Sequence, residues 1–161
     1  MILKGNQRGS GQKLASQLLN ADNNQRIDIL EVRGAVAQDL HGAFQEWQAQ
    51  SRATHCLKYL YSLSINPDPS QCGFTRTQYF DLIERVEKKL GLSAQPRAVV
   101  FHVHRDGREH GHVVWSRILP DASKSVHIAH DKFKLQAVAR EFAHDYGLTL
   151  PAGMRNRKSH F

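Results

Sequence analysis

Residues 98–119 read AVVFHVHRDGREHGHVVWSRIL. Two apolar, β-branched runs, 98–104 and 110–119, flank the polar segment Arg105-Asp106-Gly107-Arg108-Glu109, the pattern of two strands joined by a tight connection. Four of the chain's ten histidines lie inside it, at 102, 104, 110 and 112. Side chains two apart share a strand face, so His102 and His104 point together, as do His110 and His112. The turn decides whether the two pairs meet. A two-residue Asp106-Gly107 turn sets Val103 opposite His110 and sends the pairs to opposite faces. A three-residue loop, Asp106-Gly107-Arg108 with a left-handed glycine, sets His104 opposite His110 and His102 opposite His112, with all four imidazoles on one face. Directly opposed Cβ atoms then lie ~5 Å apart, close enough for three imidazoles to share a cation. Neutral imidazole suits Zn²⁺ and the later first-row metals, and three protein ligands leave positions open for substrate oxygens. A polar sheet face or a pH-sensitive patch is the plainer account of a lone histidine; even spacing across one hairpin favours the metal.

Working outward, Thr75-x-x-Gln78 is a capping box, and Tyr79, Leu82, Ile83, Val86 and Leu90 follow at helical spacing before Gly91. Leu57–Ile65 reads as a strand closed by Asn66-Pro67-Asp68-Pro69, and Ile27–Val32 as another. Val36, Leu40, Phe44 and Trp47 form a helical stripe reaching about Arg52; Leu135, Val138, Phe142 and Tyr146 mark a last helix ending at Gly147. Met1–Lys4 reads as a short sheet edge. Gly5–Gly11 reads as a donor-rich loop able to hold a phosphate, running into a helix near Lys13–Asn20, although it lacks the ending of a P-loop. The expected fold is α+β: a central antiparallel sheet carrying the His-x-His strand, with helices packed on its faces. No repeat or linker divides residues 1–161, so one domain is expected, with a basic tail at about 152–161.

The 161 residues carry 22 Lys+Arg against 15 Asp+Glu, a net charge of +7. Every acid lies between residues 21 and 151, so the excess sits at the ends: Lys4, Arg8 and Lys13 at one, Arg155, Arg157 and Lys158 at the other. Acid-free basic ends suit a polyanion, because each phosphate contact releases a counterion; a merely solvated terminus is the alternative. Cys56 and Cys72 have no C-x-x-C spacing and follow no signal peptide, and read as reduced thiols of a cytoplasmic protein. No apolar run approaches the ~18 residues of a membrane span.

His110-Gly-His112-Val-Val, with His102 eight positions earlier on an apolar strand, resembles the His-hydrophobe-His signature of HUH endonucleases, and most closely the relaxases that mobilise plasmids and conjugative elements. Gly111 is smaller than the usual hydrophobe. The capped helix 75–90, the Leu-Gly-Leu after it and the Val-Val-x-Ser-Arg continuation extend the likeness over roughly residues 57–119. The resemblance implies a relaxase-like single-stranded DNA endonuclease or transesterase that nicks at a transfer origin during mobilisation. It implies His102, His110 and His112 as ligands of a divalent metal, Mg²⁺ or Mn²⁺ first and Zn²⁺, Ni²⁺ or Co²⁺ as alternatives. His104 and Asp106 then stand as orienting groups or an alternative ligand. Its implied partners are single-stranded DNA, accessory mobilisation proteins and a coupling protein.

One departure matters. The family's tyrosine nucleophile sits in or just after the first helix, where this chain reads Leu14-Ala-Ser-Gln17-Leu-Leu, and no tyrosine precedes Tyr59. Gln17 cannot attack phosphorus, and Ser10 and Ser16 have no base nearby in sequence. Tyr59 and Tyr61, read as sharing a strand face, are weak nucleophile candidates and better packing groups. An unusual nucleophile, a hydrolytic water, or a catalytically degenerate DNA-binding accessory protein all remain open. Arg105, Arg108, Arg117 and Lys124 read as a rim able to grip the strand, with solvated arginines the commoner explanation, and Trp115 as core or as a stacking platform for a base.

Overall fold

The computed structural model describes residues 1–21, 25–68, 73–121 and 123–148. Among these, five strands and four helices follow in the order β1 (Ile2–Arg8), α1 (Gly11–Leu19), β2 (Gln25–Arg33), α2 (Leu40–Ser51), β3 (Leu60–Asn66), α3 (Arg76–Leu90), β4 (Arg97–His104), β5 (Glu109–Ser116) and α4 (Asp131–Tyr146). The strands form one sheet, β1-β3-β5-β4-β2, antiparallel at every pairing. The fold is therefore the expected α+β sheet, with β5 at its centre and β4 beside it.

Alternation along the strands feeds two cores. Tyr61, Leu63, Ile65, Val99, Phe101, Val113 and Trp115 face α3 and α4. Leu60, Ala98, Val100 and Val114 face Leu14 and Leu18 of α1 and Phe44 and Trp47 of α2. The Thr75 capping box forms as the sequence predicts, and Gly91 closes α3 in the left-handed conformation at φ 76°. Glu87 of α3, only 4% exposed, accepts from Trp115 Nε1 at 3.0 Å and Arg33 Nη2 at 3.2 Å and is paired with Arg97. Trp115 is thus core, with its one polar atom satisfied inside the protein.

Several expectations shift. The donor-rich loop does not exist as such: residues 5–8 continue β1, with Gly5 opposite Leu63 and Arg8 opposite Leu60. Gly5 is required there because a Cβ would lie 2.0 Å from the Tyr61 hydroxyl. The first helix begins at Gly11, not near Lys13, and α2 begins at Leu40 because Asp39 caps it by accepting from Gly42 N–H, which leaves Val36 outside at 90% exposure. β3 starts at Leu60 rather than at exposed Leu57, so Tyr59 precedes the strand. Tyr59 and Tyr61 consequently part company, Tyr59 entering the α1/α2 core and Tyr61 the α3/α4 core. Cys72 and the basic tail with Arg155, Arg157 and Lys158 lie outside the described residues; Cys56 is half-buried.

Candidate active site

The hairpin between β4 and β5 has a three-residue loop with a left-handed glycine, as foreseen, but the loop is Arg105-Asp106-Gly107, one residue earlier than expected. His104 N–H donates to the Arg108 carbonyl at 2.8 Å, Gly107 N–H to the His104 carbonyl at 2.9 Å, and Gly107 takes φ 90°. Parity is preserved and pairing is not: His102 stands opposite His110, and Val100 opposite His112. All four imidazoles share the sheet face that α1 partly covers. Because the side chains lean along their strands, the rings pair diagonally, His102 with His112 at 4.8 Å between centroids and His104 with His110 at 5.1 Å. On the opposite face a Cβ at Gly111 would approach Phe101 Cε1 to 3.2 Å, so the volume a hydrophobe would occupy is already filled.

Each ring except His112 has a fixed partner. His102 Nε2–H donates to the Leu18 carbonyl at 2.7 Å, and His110 Nδ1–H donates to Asn66 Oδ1 at 2.9 Å. His104 Nε2 lies 3.4 Å from the Gln25 side-chain amide. These contacts leave Nδ1 of His102 and Nε2 of His110 as lone-pair donors. Burial, reinforced by the charges of His102 and His110, pushes the His112 imidazole down to about 4, and His110 is lowered chiefly by burial too. Neutral imidazole is the ligating form. Among the described residues no group of three or more His, Cys, Asp or Glu side chains is placed so as to hold a metal ion.

The sheet register extends this floor into a cleft of about 330 Å³. Lys4, Ser64 and His112 stand in one row across β1, β3 and β5. Asn6 and Ser62 form the next row, and Arg8 lies beyond. α1 supplies the wall through Leu14, Gln17 and Leu18, and Arg8 Nη2 donates to Gln17 Oε1 at 3.1 Å. His110 also borders a second cleft at the hairpin end, beside Phe74 and Tyr79.

The structure brings only some of the predicted residues to this place. Lys4 and Arg8 line the cleft; Lys13 is exposed on α1, and Arg105 is exposed at the hairpin tip. Asp106 is not beside the histidines but at the exposed tip, accepting from Arg108 N–H at 3.0 Å and Arg108 Nε at 2.8 Å. Arg117 is not a rim residue: it is 7% exposed and donates to the carbonyls of Lys58 at 2.6 Å and Val126 at 2.7 Å, bracketing two loops. Tyr59's hydroxyl accepts from Gly11 N–H at 3.0 Å, and Tyr61's donates to Asp131 at 2.9 Å on the far side of the sheet. Sequence reasoning missed Asn66 and Gln25, whose roles appear only once the register sets Asn66 beside His110 and Gln25 opposite His104.

An antiparallel sheet that sets four histidines on one face of two adjacent inner strands, with His102 and His112 in a cleft shared with Lys4 and Arg8, defines the class: an α+β domain with a histidine-bearing central hairpin. More particularly, the chain belongs to the relaxase family, its MobA/VirD2-like nuclease domain matching residues 17–148. No curated protein and no solved structure matches. Relaxase nuclease domains nick DNA, bind single-stranded DNA at an origin of transfer and generally depend on a divalent metal. Among the described residues no helix is long and apolar enough to cross a membrane.

Proposed function

We propose that this chain nicks single-stranded DNA at a transfer origin, with a divalent cation held by His102, His110 and His112. The observation that carries the reading is the shared face: the three imidazoles, and His104 with them, lie on one face of the sheet, where His102 and His112 line the cleft that holds Lys4 and Arg8. Two of the rings are in the chemical form a cation needs, since His110 keeps Nε2 free through its Asn66 bond and His112 is neutral at neutral pH, and the three would have to converge on binding. Mg²⁺ or Mn²⁺ suits the phosphate chemistry, and Zn²⁺, Ni²⁺ or Co²⁺ suits imidazole ligands better. Bound there, the cation supplies Lewis acidity to a phosphate oxygen. Lys4 and Arg8 draw the phosphate backbone along β1, Asn66 and the Leu18 carbonyl hold two imidazoles in fixed orientation, and Leu14 and Leu18 keep water from the inner wall. Accessory mobilisation proteins and a coupling protein are proposed partners in the cytoplasm. A second reading, a DNA-binding accessory protein that does not cut, draws its support from Gln17 standing where the resemblance implies a tyrosine.

End-labelled oligonucleotides spanning the transfer origin of the element that encodes the chain, incubated with Mn²⁺ or Mg²⁺, test the two. Nicking that requires metal and disappears in His110→Ala supports the first. Equal DNA affinity in wild type and His110→Ala with no nick from either moves the conclusion to the accessory protein.

A further inference from the structure

Among the described residues no hydroxyl equipped to attack phosphorus lines the histidine cleft. The four tyrosine hydroxyls are engaged elsewhere: Tyr59 with Gly11, Tyr61 with Asp131, Tyr79 with the Glu109 carbonyl and Tyr146 with Asp81. Ser62 and Ser64 lie on the cleft floor, yet neither hydroxyl is hydrogen-bonded to an imidazole or carboxylate that could take its proton, and Ser64 accepts from the Asn66 side chain at 3.3 Å. What α1 presents instead is a carboxamide. Arg8 holds Gln17 through one lone pair of Oε1, which leaves the other lone pair and the Nε2 hydrogens for the cleft. A carboxamide so held can accept a hydrogen bond from water while donating one to a phosphate oxygen, the pair of bonds that orients a water for attack.

Resting on the nicking function proposed above, we infer that the attacking oxygen is water's, held against the scissile phosphate by Gln17, and that no protein–DNA bond forms. The bond from water oxygen to phosphorus forms as the phosphorus–oxygen bond to the departing sugar breaks. One water proton ends on the sugar oxygen, and the other leaves the new phosphate end for solvent. A single displacement inverts configuration at phosphorus, whereas passage through a protein adduct takes two displacements and retains it.

The test uses the full chain with Mn²⁺ in oxygen-18 water and an origin oligonucleotide carrying a phosphorothioate of known configuration at the scissile linkage, so that the phosphorus of the new end remains stereogenic. Expected are inversion, two free DNA ends, no labelled band at the protein's mass on a denaturing gel, and a drop of tenfold or more in the nicking rate of Gln17→Ala at saturating DNA. Retention, or a labelled adduct band, overturns the inference while leaving the nicking function standing; loss of the band in Ser64→Ala would then name the nucleophile. An unaltered nicking rate in Gln17→Ala overturns the role of Gln17. Intact DNA binding with no nick overturns both the inference and the function on which it rests.

Discussion

Asn66 ends β3 one row from the cleft, and its carboxamide does two things: Oδ1 accepts from His110 Nδ1, and Nδ2 donates to Ser64. The pair of bonds fixes both the amide's orientation and the imidazole's tautomer, so that Nε2 is the basic nitrogen. Groups that orient a metal-binding histidine from behind are typically worth 10–100-fold in metal affinity. Asn66→Ala is therefore expected to weaken Mn²⁺ or Ni²⁺ binding by about 10-fold or more in calorimetry, with the thermal midpoint little changed because the residue is only half-buried. Equal affinity in the variant would remove Asn66 from the site. Arg117 gives the opposite pattern. Its guanidinium is spent on the Lys58 and Val126 carbonyls, so Arg117→Ala should cost about 2–3 kcal/mol of stability by stranding those acceptors, while leaving the salt dependence of DNA binding unmoved.

Among the elements, the β4–β5 connection carries most of the site's geometry. Nothing lies within 4 Å of a Cβ built on Gly107, so its requirement is the backbone alone, at φ 90°. Gly107→Ala should destabilise the protein by about 1 kcal/mol in chemical denaturation, and metal affinity should fall with it because the loop sets the common face of the histidines. The sequence made this glycine legible but not which three residues form the loop. That choice rests on the bond between His104 N–H and the Arg108 carbonyl, which no local pattern announces. Helix α3 was legible to the residue, since a capping box and a terminal glycine are local devices; the start of α2 was not, because Val36 continues the apolar spacing that the Asp39 cap interrupts. Gly5 reads as loop for the same reason: only the Tyr61 hydroxyl, far away in sequence, explains a glycine inside a strand. Between α3 and α4, Asp81 is held below the ordinary carboxylate range, first by Arg85 and then by the Tyr146 hydroxyl. A carboxylate lowered in the folded state contributes stability above the unfolded value of about 4 and loses it as pH falls through the folded value. Asp81→Asn should thus be less stable than wild type at neutral pH, with the gap closing below about pH 4 in circular-dichroism melts; a constant gap would assign the loss to packing.

At the scale of the whole molecule, charge and shape meet along β1, an outer strand of the sheet. Lys4 and Arg8 alternate onto the histidine face, so a nucleic-acid backbone following the strand meets them in succession. Replacing both with Gln should flatten the slope of log affinity against log salt for single-stranded DNA by up to about 1.4, from roughly 0.7 per phosphate contact. Removal of residues 152–161, with their three bases, should flatten it by up to about 2 on the same scale. An unchanged slope in either case places the DNA elsewhere.

The position of β1 has one more consequence, and it is topological. Because the cleft opens along the sheet's outer strand, with Lys4, Asn6 and Gln17 all exposed, a polymer can be laid into it sideways. A closed tunnel admits only a polymer with an end to thread. A side-opening trough makes no such demand, so a strand within an unbroken circle can enter, be released and re-enter without any break having been made beforehand.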